Sequence, residues 1–153
     1  MKILVSACLL GENCKYSGGN NYNQAVCDFA RGHQVVPVCP EVLGGLPTPR
    51  CPAEIVQGVV TNKEGINVDR EFRVGAAKAL AIAKENGVEL AILQSRSPSC
   101  GVKEIYDGTF SGTKIPGQGV FAKMLMDEGV RVLDAGELHQ IILKNEDGKC
   151  QSD

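Results

Sequence analysis

Four apolar runs of strand length punctuate the chain, and amphipathic segments of helical period lie between them. Ile3, Leu4 and Val5 follow one another without a polar face, which predicts a short buried strand over residues 2–5. Residues 33–38 (interrupted by Pro37), 88–93 and 130–133 predict three more. Helices are predicted from four segments. Ala25, Val26, Phe29 and Ala30 share an inner side beneath a cap at Asn21 or Asn23, with Gly32 as the stop. Phe72, Ala76, Leu80 and Ala83 recur at helical spacing in a helix that opens at Asp69 or Arg70 and ends at Gly87. Residues 120–128, stopped by Gly129, and residues 136–144 complete the set. Residues 55–61 and 66–68 flank Asn62-Lys63-Glu64-Gly65 and predict a hairpin. Gly- and Pro-rich stretches at 11–21, 41–53 and 106–119 predict loops.

Strands alternating with helices imply an α/β chain: a single three-layer, Rossmann-like domain over residues 1–145, with a mostly parallel sheet flanked by helices, and a polar tail at 146–153. Ligands of such sheets bind beyond the carboxyl ends of the strands. The segments around Cys8, Cys39 and Cys100 each follow a predicted strand, so three cysteines far apart in sequence are expected on one rim.

Cysteine usage sharpens this picture. There are seven in 153 residues, an odd number, in a chain long enough to bury a core without cross-links. The first residues carry one charge and a short apolar run, not the longer stretch of a secretory signal, so a reducing, cytoplasmic setting is expected. Thiols then imply metal binding, redox chemistry or catalysis, with some merely buried as small hydrophobes. No apolar run approaches membrane-spanning length. A net charge of -2 gives no electrostatic basis for a broad nucleic-acid surface, which leaves a small anionic ligand or a local RNA contact.

Cys8, Cys39 and Cys100 are candidate ligands by position, with burial as the plain alternative. Cys14, in a polar loop, is a fourth ligand, a sulfur acceptor or an ordinary loop thiol. Cys27 is expected in the core, Cys51 in a neutral or supporting place, and Cys150 in the tail. Glu41, two residues after Cys39, is an acid–base candidate or a solvated carboxylate. Ser97 and Ser99 either hold a developing oxyanion or satisfy their turn. Arg50, Arg96 and Lys114 either bind phosphate or are surface charges.

The loops resemble the TudS thiouracil desulfidase family. The shared blocks are Val5-Ser6-Ala7-Cys8-Leu9-Leu10-Gly11, Cys14-Lys15-Tyr16, Pro37-Val38-Cys39-Pro40-Glu41 with Gly44-Gly45-Leu46, Pro49-Arg50 with Pro52-Ala53-Glu54, Ser97-Pro98-Ser99-Cys100-Gly101, and Tyr106-Asp107-Gly108-Thr109-Phe110-Ser111-Gly112. The resemblance implies an oxygen-sensitive [4Fe-4S] cluster held by Cys8, Cys39 and Cys100, with one iron open to the sulfur of a thiolated uracil. It implies hydrolytic, non-redox desulfuration of a 2- or 4-thiouracil base, a 4-thiouridine nucleoside or its monophosphate; the low net charge and small size make tRNA a less favoured partner. In this reading Glu41 manages protons, Ser97 holds substrate or adduct, and Ser99, Arg50, Asp107 and Ser111 contact the substrate. Cys51 stands where the pattern has Pro, and Gln94 where it has Lys, which removes a possible anion contact. The competing expectations are a structural zinc or Fe–S domain that binds a nucleotide or tRNA without desulfidase activity, and a sulfur carrier using Cys8 and Cys14.

Overall fold

A computed structural model describes residues 1–138. In chain order it contains β1 (Lys2–Ser6), a 3-10 turn (Ala7–Leu10), α1 (Gln24–Ala30), β2 (Gln34–Val38), α2 (Pro40–Leu43), β3 (Ala53–Val56), β4 (Val59–Asn62), α3 (Asp69–Glu85), β5 (Leu90–Leu93), β6 (Glu104–Tyr106), β7 (Lys114–Pro116), α4 (Val120–Asp127) and β8 (Arg131–Asp134). The expected helix at 136–144 is seen only over Ala135 to Leu138; its remainder and the tail lie outside the described residues.

Four strands form a parallel sheet in the order β2-β1-β5-β8. The period-2 alternation of a strand splits its residues between two cores. Leu4, Ala91 and Leu93 face Phe72, Ala76, Ala79 and Phe121 of α3 and α4. Ile3, Val5, Leu90 and Ile92 face Val26 and Ala30 of α1 together with Ala135 and Leu138. Helices thus cover both faces, which explains why these strands are apolar throughout rather than alternating. The strand order reverses direction at β1, so the crevice beyond β1 and β5 is the topological switch point. Pro37 is tolerated because β2 is an edge strand. Among the described residues no helix is long and apolar enough to cross a membrane.

Three expectations need correction. Residues 41–53 are not all irregular: Cys39 caps the short helix α2, with Pro40 in its first turn, where a missing N–H costs nothing. This helix lies directly on α3. A Cβ at Gly44 would overlap the Glu71 carbonyl, and one at Gly75 the Pro40 carbonyl, so both positions must lack a side chain. The first hairpin pairs β3 with β4 around Gln57-Gly58, both at positive φ, as a tight turn requires. The expected turn at 62–65 is present as a second reversal, which brings Asn67 back to Thr61. Finally, residues 106–119 are not structureless, because β7 lies there and pairs with β6 in a second two-stranded sheet. Asn23, not Asn21, caps α1: its side chain accepts from the Val26 N–H at 3.1 Å.

Candidate active site

At the carboxyl ends of β1, β2 and β5 lies a cleft of about 430 Å³. Its floor includes Cys8, Cys14, Cys39 and Cys100, and its walls include Glu41, Arg50, Ser97 and Ser99. Each side chain arrives on a segment with a local reason for its shape. Cys8 sits in the 3-10 turn after β1, where its carbonyl accepts from Gly11 and Asn21 N–H groups at 3.2 and 3.0 Å. Cys39 and Glu41 are delivered by the start of α2, which the glycine contact seats on α3. The Ser97–Gly101 loop is closed by its own serine. Ser97 Oγ accepts from the Ser99 and Cys100 N–H groups, both at 3.1 Å, and the Gly101 N–H reaches the Ser97 carbonyl at 2.9 Å. The start of α4 then clamps it: Val120 N–H donates to Pro98 O at 2.8 Å, and Phe121 N–H to Ser99 O at 2.9 Å. A Cβ at Gly119 would stand 2.5 Å from the Ser99 carbonyl carbon, so glycine is needed for this approach.

Glu41 is gripped on both oxygens. Arg50 Nε donates to Oε1 at 3.1 Å, while Oε2 accepts from Ser99 Oγ at 2.7 Å and from Ser97 Oγ at 3.4 Å. The pair is largely enclosed, with side-chain exposures of 7% for Arg50 and 16% for Glu41, so solvent screens it less than a surface pair.

The thiols divide by environment. A hydrogen bond with the Cys14 thiol draws Cys8 down to about 7 despite burial, and Asn21 Nδ2, 3.4 Å from the sulfur, adds to this. Cys39 is likewise drawn down to about 7, first by Cys14 and then by the Val42 N–H and the Arg50 charge, against burial and Glu41. Cys14 is pushed up by the same two contacts, and burial pushes up the fully enclosed Cys100. Cys8 and Cys39 are therefore the more readily ionised thiols of the cleft. The donor set is soft sulfur, which suits iron–sulfur or other thiophilic metal chemistry. Among the described residues, no three His, Cys, Asp or Glu side chains are arranged to hold a single metal ion.

Cys8, Cys39, Cys100, Glu41, Ser97, Ser99 and Arg50 thus meet in one cleft. Asp107 and Ser111 do not line it. Asp107 accepts from the N–H and hydroxyl of Thr109 at 2.9 and 2.6 Å, and Ser111 Oγ bonds Thr109 and Thr113, so both are spent on their own turn. What that loop sends inward is Tyr106 and Phe110. Glu54 anchors it through the N–H groups of Gly108 and Phe110 at 2.9 and 3.1 Å. Arg96 lines the cleft but pairs with Glu104 at 3.1 Å; Lys114 lies in an adjoining recess. Cys14, left open between ligand, sulfur acceptor and loop thiol, also lines the cleft; Lys15 and Lys63 are lining residues to which sequence reasoning gave no role, and the polar loop that carries Lys15 was the available signal. Outside the cleft, Cys27 is only half-buried on α1, not in the core, with its sulfur 3.8 Å from Leu9 O. The Cys51 sulfur lies 2.7 Å from Glu64.

Three comparisons with known proteins agree with this geometry. The sequence profile of the 2-thiouracil desulfurase family matches residues 3–137. The chain is 42% identical over 150 residues to the uncharacterized protein YbbK of Bacillus subtilis (strain 168), covering 92% of this chain and 99% of that one. It is also similar to a solved structure of the [4Fe-4S]-dependent thiouracil desulfidase TudS, at a TM-score of 0.85 and 37% identity, over 95% of this chain and 97% of the other. With its parallel sheet, strand-end cysteines and matched profile, the chain belongs to the 2-thiouracil desulfurase family.

Proposed function

We propose that this protein hydrolytically desulfurates a thiolated uracil in a cytoplasmic setting, with Cys8, Cys39 and Cys100 holding a [4Fe-4S] cluster that has one iron free of protein ligands. The observation that carries the reading is the gathering of sulfur donors beside a doubly held carboxylate in one cleft. When bound, such a cluster supplies a thiophilic Lewis acid that polarises the C–S bond and takes up the charge of the departing sulfide.

Overall, oxygen replaces sulfur: the thiocarbonyl and water give the carbonyl and hydrogen sulfide. The chain's own task is to bring the water and manage its protons. Glu41, held in a fixed orientation, accepts a proton from the attacking water as its oxygen bonds the ring carbon, and returns one as the C–S bond breaks. Ser97 spends its acceptor capacity on two backbone N–H groups, and its hydroxyl proton, held only by a long 3.4 Å contact to Glu41 Oε2, turns to the substrate or the adduct when one is bound. Tyr106 and Phe110 offer apolar faces to a planar base, and Lys15 and Lys63 offer cations to a monophosphate at the cleft wall. A small base, nucleoside or mononucleotide suits a cleft of about 430 Å³ better than tRNA does.

The test is anaerobic reconstitution of the full chain, analysis of iron and acid-labile sulfide, and loss of thiocarbonyl absorbance with 2-thiouracil, 4-thiouracil, 4-thiouridine and its monophosphate. Iron and sulfide near four each per chain, with turnover of at least one of these compounds, is the expected result. Zinc alone, with no turnover of any of them, would overturn the reading.

A further inference from the structure

Arg50 is an unusual basic residue for a cleft wall, because almost nothing of it is left to offer a ligand. Its guanidinium has five N–H groups. Nε donates to Glu41 Oε1 at 3.1 Å, Nη1 reaches Pro47 O at 3.1 Å and Thr48 Oγ1 at 3.0 Å, and Nη2 reaches Cys14 O at 2.8 Å. Four of the five are spent within the chain. The Arg50 backbone N–H donates to Tyr16 O at 2.7 Å, so both ends of the residue are fastened to the loop that carries Cys14. On the far side of the carboxylate, Ser99 is 1% exposed and gives its hydroxyl proton to Glu41 Oε2 at 2.7 Å.

We propose that Arg50 and Ser99 are positioning residues for Glu41, gripping its two oxygens from opposite sides, and that neither is a substrate contact. The proposal rests on the reading of Glu41 as the proton-handling group. A carboxylate fixed at both oxygens has its remaining lone pairs set in one direction, which is what in-line delivery of a proton to and from a water requires. Arginine is needed for its planar fork: it spans Glu41 and the Cys14 carbonyl at once, whereas lysine is a point charge that can serve one of them. The same bond ties the acid–base carboxylate to the thiol loop, so chemistry and metal-site geometry are held to a common part.

The test uses R50K, S99A, E41Q and the double variants of E41Q with each, in the reconstituted full chain, with iron content and thermal melting measured in parallel. R50K and S99A should keep iron and cooperative melting, leave KM within about twofold, and lower kcat by roughly tenfold or more, because only orientation is lost. In the E41Q background each should cost less than about threefold more, since residues acting through one group are not additive. A tenfold rise in KM with kcat preserved, or full multiplication of the losses in E41Q, would overturn the proposal, as would loss of iron in both single variants. A readout independent of turnover is the 13C carboxyl resonance of Glu41 in the cluster-free chain, assigned by its disappearance in E41Q. It should move in R50K and in S99A, and a resonance unchanged in both would refute the positioning role. A wild-type chain with no turnover would refute the desulfidase reading separately.

Discussion

At the scale of single residues, the cleft sets two kinds of side chain against each other: soft thiols on its floor and a rigidly held carboxylate on its wall. Replacing Cys8, Cys39 or Cys100 by Ala is expected to abolish stable iron binding, while Cys27→Ala leaves iron content unchanged; anaerobic metal analysis checks both. Glu41→Gln should keep iron but lower kcat by about 10²-fold or more, because an amide cannot exchange a proton with water. The thiols also imply a pH dependence in the cluster-free chain. Cys8 and Cys39, drawn down to about 7, become thiolate and hence nucleophilic as pH rises through that value. Cys51, pushed up by Glu64, should alkylate only at higher pH. Peptide mass spectrometry after brief iodoacetamide treatment across the neutral and alkaline range reads this order, and Cys8 and Cys39 reacting no earlier than Cys51 would contradict it. The strand-end rule was enough to anticipate that Cys8, Cys39, Cys100 and Glu41 would meet. The place of Cys14 and the grip of Arg50 were not legible, since the bond between them joins residues 36 apart through a loop with no period. Whether Asp107 and Ser111 would face the cleft was not legible, because a polar Gly-rich turn can equally well serve a ligand or itself.

At the scale of elements, the site depends on two close approaches of backbone to backbone. Gly44 and Gly75 let α2 lie on α3, and Gly119 lets α4 dock on the Ser99–Cys100 peptide. Gly75→Ala or Gly119→Ala should therefore cost about 1–3 kcal/mol of stability through overpacking and also lower iron retention, because each displaces a cysteine-bearing segment. Thermal melting with metal analysis checks this pair of effects, and a stability loss with full iron would separate the two. Asp69 adds a pH-sensitive contact between α3 and β4. Burial opposes its ionisation, but hydrogen bonds from Arg73 and the Val60 N–H outweigh burial and hold it below the usual carboxylate range. Its contribution is thus complete above its unfolded value and is lost as pH falls through the lower folded one. Asp69→Asn should lessen the fall in melting temperature as the solution is acidified through the carboxylate range. Helices α1, α3 and α4 and the four sheet strands were legible from their apolar period or continuous apolar runs, with a side-chain cap to help at α1. The short helix α2 and the β6–β7 ladder were not, since proline and glycine mask periods of only three or four residues.

At the scale of the molecule, two cores on opposite faces of one parallel sheet brace the switch point from both sides. That arrangement lets three strand ends present thiols from distant parts of the sequence without a close-spaced cysteine repeat. A cavity in the sheet itself should weaken the whole: Leu4→Ala, at a fully buried position, is expected to cost about 2–5 kcal/mol in chemical denaturation. If this frame serves hydrolysis, water supplies the oxygen that replaces sulfur. That origin of the oxygen is tested most directly by one anaerobic turnover of thiouracil in 18O-labelled water, with uracil analysed by mass spectrometry and sulfide counted. Hydrolysis requires one 18O in each uracil formed and one sulfide released per uracil, without added reductant or oxidant. Uracil lacking the label, or sulfide that appears only when a redox partner is supplied, would contradict it.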